Sequence, residues 1–207
     1  MTGLWSSFRP EDLATPEAFR RDARTVWDWY AWRRERVSSV SPNRGHEALA
    51  ALESRCVANG REFLLVTQNV DGLHRAAGSR RLVELHGDIR RVKCLDHGHP
   101  AESWDKGERP PRCLRCGSFL RPDVVWFGEM LPADALEQAF EATRRCDVFL
   151  CVGTSALVEP AASLPLLAIA AGACVIEVNP DRTPLTARAS VALTGRAGEI
   201  LPALVAE

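Results

Sequence analysis

The sequence has 207 residues, a length that fits one medium-sized domain or one domain with a small inserted module. Its 46% hydrophobic and 26% charged residues lie within the range of globular proteins and exclude a disordered, collagen-like or coiled-coil chain. The 26 basic and 27 acidic residues leave a formal charge of −1, which argues against a general electrostatic attraction to nucleic acid or to an anionic membrane.

The cysteines and the apolar segments indicate where the protein works. Of the seven cysteines only Cys113 and Cys116 have the spacing of a metal site, and the odd total favours a reducing compartment. The first twenty residues lack the apolar core of a signal peptide. Residues 160–176 are uncharged, but Pro165 and Gly172 interrupt them, so we interpret them as a buried helix that runs into a strand. We therefore expect a cytoplasmic protein that does not contact a membrane.

The first strong pattern along the chain is helical and runs from Ala23 to Val37. It carries Trp27, Trp29, Tyr30 and Trp32, which give more aromatic surface than one amphipathic stripe needs. We expect this segment to form a small helical region beside the main domain.

The rest of the chain alternates apolar runs with helical patterns. Continuous apolar runs, in contrast to alternating ones, indicate strands that are buried on both faces of a parallel sheet. The pattern therefore predicts an α/β fold with a doubly wound parallel sheet. The candidate strands are Phe63–Thr67, Val83–His86, Val148–Val152, Cys174–Val178 and Val191–Leu193, and the candidate helices are Pro42–Asn59, Pro132–Arg145 and Pro160–Ala171.

The segment between the second and third candidate strands interrupts this alternation. It is rich in Pro, Gly, Cys, His and charged residues and has no convincing periodicity, so we interpret it as an inserted module. Cys94 and His97 form one short hook, and Cys113 and Cys116 form a second hook after 15 intervening residues. Two such hooks supply the four ligands of a structural zinc site. His99 competes with His97 for one place, and a module that packs without metal is the alternative.

Polar or small residues follow several candidate strands. The first strand leads into Thr67–His74, the second ends at His86, the third leads into Gly153–Ser155 and the fourth into Asn179–Asp181. Open α/β sheets bind ligands at the carboxyl ends of their strands, so we expect a ligand crevice there. For any one of these residues a structural role, such as helix capping by Asn or Asp, is the alternative.

Five motifs spread over nearly the whole chain carry a resemblance to a known family. They are TQNVDGLH from Thr67, LHGDIR from Leu85, RPDVVWFGEM from Arg121, VGTSALVEPA from Val152 and EVNPD from Glu177. Together they resemble the sirtuin family of NAD-dependent protein deacylases. The resemblance implies a Rossmann-like domain that binds NAD and a small domain that combines a structural zinc module with a helical part.

The same resemblance implies a division of the chain. It places the helical part at residues 10–41, the zinc module at residues 89–123, and the NAD-binding domain at residues 42–88 and 124–207. Sirtuins begin with a strand and a Gly-Ala-Gly loop that cradles the NAD phosphates, whereas the 14 glycines here include no Gly-x-Gly pair. We therefore expect a chain that lacks a first βα unit and binds NAD weakly.

The resemblance also assigns roles to residues that match the motifs. His86 is implied to be the general base, a role that suits histidine because the reference pKa of an imidazole, about 6.5, lies near operating pH. The acyl group of a modified lysine is implied to end on ADP-ribose, with release of nicotinamide. The implied NAD contacts are Gln68, Asn69, Val70, Asp71, Gly153, Thr154, Ser155, Asn179, Pro180, Asp181 and Ala197, and the implied substrate-peptide contacts are Val125, Trp126, Phe127, Gly128, Glu129 and Val158.

Tyr30 and Arg33 indicate which acyl group is removed. Their i, i+3 spacing puts them on one helix face, and the surrounding sequence resembles the sirtuin branch that removes succinyl, malonyl and similar acidic groups. A guanidinium and a phenol both bond the carboxylate at the far end of such a chain. The alternative is that Arg33, Arg34 and Arg36 form a solvated basic face.

These observations leave three functions open. The first is a monomeric NAD-dependent deacylase that acts on succinyl, malonyl and acetyl groups of protein lysines, with NAD as co-substrate and structural zinc. The second is a catalytically inactive fragment that binds peptides or proteins. The third is a zinc-ribbon nucleic-acid module. Arg109, Arg112, Arg115 and Arg121 hint at this last function, but the near-neutral chain argues against it and we expect no nucleic acid partner.

Overall fold

The computed structural model describes the backbone of residues 10–206 and the side chains of residues 12–206. The chain forms two compact units. The first contains the described residues up to Ser41, Gln68–Gly72 and Glu84–Pro132, and the second contains Pro42–Thr67, Leu73–Val83 and the residues from Ala133 onward. The expected helical region and the inserted segment therefore share a unit, which also holds the loop Gln68–Gly72 and the residues around His86.

Three helices open the first unit. They are α1 (Pro10–Leu13), α2 (Pro16–Arg21) and α3 (Ala23–Ser38). Thr15 caps α2 and Asp22 caps α3, because the side-chain oxygen of each accepts the backbone N–H of the residue three positions later. The long helix that the sequence predicts is thus confirmed, with a defined start.

The inserted segment of the first unit forms an antiparallel sheet with the strand order β4-β3-β5. The strands are β3 (Gly87–Cys94), β4 (Pro100–Ala101) and β5 (Leu120–Val124). The pairing of β3 with β5 shifts its register between Asp88 and Val92, as at a β-bulge. A bulge breaks the two-residue alternation of inward and outward side chains, which explains why the sequence shows no strand periodicity here.

The aromatic residues of α3 belong to two separate cores within the first unit. Trp29 and Tyr30 pack with Phe19 and Trp126, whereas Trp27 packs with Leu120 and other residues of the sheet. The several aromatic faces of this helix therefore each have a partner within the first unit.

The second unit contains two sheets. Strands β6 (Val148–Val152), β7 (Cys174–Asn179) and β8 (Val191–Thr194) form a parallel sheet in that order, and β1 (Leu65–Thr67) pairs with β2 (Leu82–Glu84). All five predicted strands exist, and the parallel pairing of the last three is confirmed. The predicted α/β fold with a parallel sheet is thus confirmed, and within the described residues β1 and β2 form a second, two-stranded sheet.

Three helices of the second unit match the predicted helical patterns at Pro42–Asn59, Pro132–Arg145 and Pro160–Ala171, and two further helices were not predicted. One hydrophobic core of this unit contains residues of β1, of β7 and of two helices. Among them are Leu49, Leu65, Val178 and Leu201, each less than 10% exposed. The helices are α4 (Arg44–Ala58), α5 (Leu73–Ala76), α6 (Ala133–Arg145), α7 (Leu164–Ala170) and α8 (Ala197–Leu204).

The uncharged segment of residues 160–176 is part of this fold. A short 3-10 turn at Ala161–Ser163 leads into α7, and β7 follows after a turn that includes Gly172. The prediction of a helix that runs into a strand is thus confirmed. No helix in the described part of the chain is both long and apolar enough to cross a membrane.

Candidate active site and metal centre

His86 lies between β2 and β3 and is half-buried. Its ring atom Nδ1 lies 3.0 Å from the backbone carbonyl oxygen of Gln68. Because a carbonyl oxygen only accepts hydrogen bonds, Nδ1 carries the proton in this contact. In the neutral ring Nε2 is then the unprotonated nitrogen, which is what a general base at this position requires.

The loop Gln68–Gly72, which supplies the partner of His86, is fixed to β3 at two points. The backbone N–H of Ile89 donates to the carbonyl oxygen of Val70 over 2.8 Å. Gly72 has a φ of +68°, and a Cβ at this position would stand 1.8 Å from Nη2 of Arg90. The loop therefore lies directly against the guanidinium group, and a side chain at residue 72 would have to displace it.

Asp88 holds that guanidinium in place. Its carboxylate accepts hydrogen bonds from the backbone N–H of Arg90 at 2.8 Å and from Nη2 of Arg90 at 2.6 Å. Asp88 is 2% exposed, and burial alone would raise the pKa of its carboxyl group, but the bonds from Arg90 lower that pKa below 3.8. The pair therefore stays charged at neutral pH and supports the loop.

The segment that follows β5 is bound both to His86 and to a buried ion pair. The backbone N–H of Val125 donates to the carbonyl oxygen of His86 over 2.9 Å. Arg121, only 4% exposed, donates from Nη2 to Oε2 of Glu129 over 2.9 Å, and the same oxygen accepts the backbone N–H of Trp126 over 2.8 Å. Glu129 thus fixes the backbone of the predicted peptide-binding segment at Trp126, and Arg121 holds the carboxylate of Glu129 in place.

The side chains of this segment face different surroundings. Phe127 is 49% exposed and Gly128 is also exposed, so this part presents a surface to solvent. Trp126 is 1% exposed and packs in the core of the first unit. The indole of Trp126 therefore does not face solvent, although the residue was expected to contact the substrate peptide.

Tyr30 and Arg33 lie together on α3, as their spacing predicts. The guanidinium carbon of Arg33 lies 4.6 Å from the ring centroid of Trp29 and 5.5 Å from that of Tyr30. The phenol oxygen of Tyr30 accepts a hydrogen bond from Nε1 of Trp126 at 3.1 Å. Within the described residues Arg33 makes no ion pair, so its charge is available to a ligand.

Burial raises the pKa of Tyr30 to about 12, and the nearby charge of Arg33 opposes this shift. The phenol of Tyr30 is therefore neutral and keeps its proton at physiological pH. A neutral phenol is a hydrogen-bond donor as well as an acceptor.

In the second unit, the loop after β6 is joined to the end of β7. Nδ2 of Asn179 donates to the carbonyl oxygen of Thr154 over 2.7 Å, and the backbone N–H of Gly153 donates to the carbonyl oxygen of Val178 over 2.9 Å. Gly153 has a φ of +61°, a left-handed conformation that favours glycine. These contacts place Thr154 and Asn179 together at the carboxyl ends of two adjacent parallel strands, where sheets of this type bind ligands.

The remaining predicted contacts of the second unit differ in exposure. Ala197 begins α8 and is half-buried, and a Cβ on Gly45 of α4 would stand 3.0 Å from its carbonyl oxygen. The other four are exposed on loops, and they are Ser155, Val158, Pro180 and Asp181.

Four metal-type side chains come together in the inserted module. The ligand atoms of Cys94, His99, Cys113 and Cys116 all lie within 4.8 Å of one another. The Nδ1 of His99 is buried and has no hydrogen-bond partner, which suits a nitrogen that faces a metal. The pKa of Cys113 is lowered to about 6, chiefly by the backbone N–H of Arg115 and then by His99, which favours the thiolate that metals bind.

The structure corrects one of the predicted ligands. His97 is exposed and is not part of the four-residue group, whereas His99 is half-buried and belongs to it. The backbone explains the difference, because the N–H of Cys94 donates to the carbonyl oxygen of His99 over 2.8 Å and so brings residue 99 back beside the first cysteine. The sequence offered both histidines, and only this turn distinguishes them.

The four arginines that hinted at nucleic acid binding do not form one free basic patch. Arg121 is buried against Glu129, and Arg109 lies 3.5 Å from a carboxylate oxygen of Asp28. Arg112 and Arg115 remain exposed. The sequence alone did not reveal the buried pair of Arg121 and Glu129.

A Rossmann-like parallel sheet and an antiparallel module with a Cys/His cluster define an α/β protein with a metal-type module. The profile of the Sir2 family matches residues 1–160. The chain belongs to this family, the sirtuins.

Relatives support the assignment along nearly the whole chain. NAD-dependent protein deacylase 1 of Archaeoglobus fulgidus is 50% identical over 205 residues, which cover 98% of this chain and 82% of the relative. A crystal structure of a Sir2 homolog–NAD complex aligns with a TM-score of 0.89 and 48% identity, covering 99% of this chain and 79% of that one. A Sir2 protein bound to an acetylated peptide aligns with a TM-score of 0.85 and 29% identity, covering 93% of this chain and 82% of that one.

Proposed function

We propose that this protein is an NAD-dependent protein-lysine deacylase that prefers acyl groups with a terminal carboxylate, such as succinyl and malonyl, over acetyl. The observation that carries the preference is Arg33, whose guanidinium packs on aromatic rings and makes no ion pair within the described residues. A charged group held beside apolar rings is only partly solvated, so a carboxylate ligand gains more there than at an open surface.

His86 acts as the general base in this proposal. Its Nδ1–H donates to Gln68, so Nε2 is free to take a proton. Bound NAD supplies the ribose carbon and hydroxyl groups to which the acyl group is transferred. The backbone bond between Val125 and His86 sets the base beside the segment where the substrate peptide adds as a strand. Because such pairing uses the peptide backbone, we expect little preference for flanking residues.

The proposed NAD contacts come from two sets of residues, each fixed within its own unit. Gln68, Asn69, Val70 and Asp71 lie on the loop that β3 holds, and they would contact the nicotinamide ribose. Thr154 and Asn179 are bonded to each other at the strand ends and, with the exposed loop residues near them, would hold the adenosine half. Backbone amides and side-chain amides of this kind suit hydroxyl and phosphate oxygens.

We also propose that Cys94, His99, Cys113 and Cys116 bind a structural zinc ion. Four protein ligands complete a tetrahedron and leave no open position for water, so the ion would stabilise the module and take no part in the reaction. None of the seven cysteines forms a disulfide bond, which supports the proposal that the protein works in the reducing cytoplasm. We also propose that it works as a monomer.

The acyl preference is tested by replacing Arg33 with methionine. We expect Arg33→Met to lower kcat/KM for a succinyl-lysine peptide by roughly tenfold to a hundredfold, since charge-assisted hydrogen bonds are worth about 1.5–3 kcal/mol. The rate on the matching acetyl-lysine peptide should stay similar or rise. Binding of the two peptides, measured without NAD by fluorescence polarisation, should change in the same way.

Arg36→Met is the matched control, because Arg36 also packs on a tryptophan, Trp32, but is exposed. It should leave the ratio of the two rates unchanged. If Arg33→Met lowers both rates by the same factor, Arg33 is structural and the acidic-acyl preference is wrong.

His86→Ala should abolish turnover of both peptides, because the base acts whatever acyl group is bound. Persistent peptide binding with no acyl transfer by the unaltered chain at saturating NAD would favour the alternative function, a catalytically inactive peptide-binding fragment.

A further inference from the structure

The indole of Trp126 is held on three sides in the core of the first unit. The guanidinium carbon of Arg121 lies 3.3 Å from its ring centroid, and the ring of Phe19 lies 5.3 Å from it. On the third side, Nε1 donates to the phenol oxygen of Tyr30 over 3.1 Å. With 1% of its surface exposed, Trp126 has little freedom to rotate.

The direction of the bond between Trp126 and Tyr30 is fixed by chemistry. An indole nitrogen only donates, so the phenol oxygen of Tyr30 must be the acceptor. The hydroxyl proton of Tyr30 is then directed elsewhere, and within the described residues it has no acceptor. Since Tyr30 is 2% exposed, a buried donor without an acceptor is costly unless a ligand supplies one.

The backbone links this bond to the proposed base. Trp126 directly follows Val125, whose N–H donates to the carbonyl oxygen of His86. Arg33, on the same helix as Tyr30, lies 5.5 Å from the ring centroid of Tyr30. Tyr30 and Arg33, the two donors proposed to bind the distal carboxylate, therefore lie close together. Of these two, only Tyr30 is hydrogen-bonded to Trp126.

We propose that Trp126 is a positioning residue for acyl selectivity, because its indole N–H occupies the oxygen of Tyr30 and leaves the phenol proton for the carboxylate of an acidic acyl group. This inference rests on the proposed function of Tyr30 and Arg33. Without the indole N–H, the phenol oxygen of Tyr30 regains a free lone pair, and an oxygen lone pair facing a carboxylate is repelled. Trp126 thus acts through Tyr30 and does not itself contact the acyl group.

The test is a double-mutant cycle with Trp126→Phe and Tyr30→Phe. The quantity measured is the ratio of the Kd values of an acetyl-lysine peptide and the matching succinyl-lysine peptide, which needs no NAD turnover. Each single variant should lower this preference for the succinyl peptide by a factor on the order of five, which corresponds to about one neutral hydrogen bond. The double variant should lower the preference for the succinyl peptide no further, because both substitutions disrupt the same hydrogen-bonded pair of Trp126 and Tyr30.

Phe19→Leu is the control for general loosening of the core, because Phe19 packs against Trp126 without hydrogen bonding to Tyr30. It should leave the ratio unchanged, and thermal unfolding should show that all variants are folded at the assay temperature.

Each other outcome has one meaning. If Tyr30→Phe lowers the preference and Trp126→Phe does not, the inference is overturned while the proposed acyl selectivity stands. Additive effects in the double variant, or an equal effect of Phe19→Leu, also overturn it, because Trp126 would then act only through packing. If Tyr30→Phe leaves the preference unchanged, the role proposed for Tyr30 is wrong, and the inference falls with it.

Discussion

Gly72 and Arg90 are packed so closely that residue 72 has no room for a side chain. A Cβ on Gly72 would stand 1.8 Å from Nη2 of Arg90, and Asp88 prevents that guanidinium from moving away. Since Gly72 closes the loop that holds the Nδ1–H of His86, the contact connects the ion pair of Arg90 and the buried Asp88 with the proposed base.

Replacing Gly72 with alanine should therefore lower both stability and NAD binding. Gly60→Ala is the matched control, because Gly60 has a φ of +67°, almost the same as Gly72, but nothing lies within 4 Å of its added Cβ. Gly60→Ala should cost about 1 kcal/mol of unfolding free energy from backbone strain alone. Gly72→Ala should cost clearly more and should also weaken NAD binding in calorimetry. Equal losses of unfolding free energy in the two variants would mean that the Arg90 guanidinium moves away from the added Cβ at no energetic cost.

Much of the second unit was predictable from the sequence, because its strands and helices carry their own local signals. The predicted strands Val148–Val152 and Cys174–Val178 are largely apolar, and they pair in parallel as such runs indicate. The grouping of strands into sheets was not predictable in this way. Pairing depends on contacts between distant residues, so the separate sheet of β1 and β2 left no trace in the local pattern.

The residues of the site were predictable where they belong to sequence motifs. They were less predictable where their role depends on three-dimensional contacts. The sequence places His86 after a strand, but only the structure gives it a carbonyl partner at Nδ1. The sequence favours His97 as the ligand with His99 as its competitor, and only the turn after Cys94 decides for His99. The sequence groups Arg121 with three other arginines as a hint of a basic patch, and its burial against Glu129 depends on a turn after β5 that the composition does not reveal.

The metal prediction distinguishes the two histidines. Purified protein should contain about one zinc per chain, and replacing both Cys113 and Cys116 with serine should remove it and unfold the inserted module. His99→Ala should reduce the zinc content, whereas His97→Ala should leave it unchanged. Metal analysis by mass spectrometry gives the content of each variant. A loss of zinc in His97→Ala but not in His99→Ala would reverse the assignment.

NAD binding by the 207-residue chain should be weak. A Gly-x-Gly loop at a helix start is the common cradle for a pyrophosphate, and the 14 glycines of this chain include no such pair. A sirtuin that carries a Gly-Ala-Gly loop should bind NAD at least about tenfold more tightly, which corresponds to about 1.4 kcal/mol. Calorimetry of both chains measures the difference. Equally tight binding would show that the described residues suffice for the cofactor.

The ion pair of Arg121 and Glu129 should make stability depend on pH in the acid range. Burial raises the pKa of Glu129, but hydrogen bonds from Arg121 and from the backbone of Trp126 lower it below 4.5. A lowered pKa in the folded state contributes stability above about pH 4.5, and that contribution is lost as the pH falls through the folded-state value. Glu129→Gln should therefore reduce the free energy of unfolding at pH 7 by roughly 1.5–3 kcal/mol, and the difference from the unaltered protein should shrink below pH 4.5.

Glu17→Gln is the control for this pH dependence. It removes an ion pair with Arg20 in which both side chains are more than 70% exposed, and such pairs contribute little because water screens them. Denaturant unfolding at several pH values from about 3 to about 7, a window that includes the usual carboxyl pKa values, gives the free energy of unfolding of each variant. A constant difference between Glu129→Gln and the unaltered protein over this whole range would mean that Glu129 acts through its hydrogen bonds alone. A difference that shrinks on acidification, absent in Glu17→Gln, would assign the effect to the charge that holds Arg121 beneath the indole of Trp126.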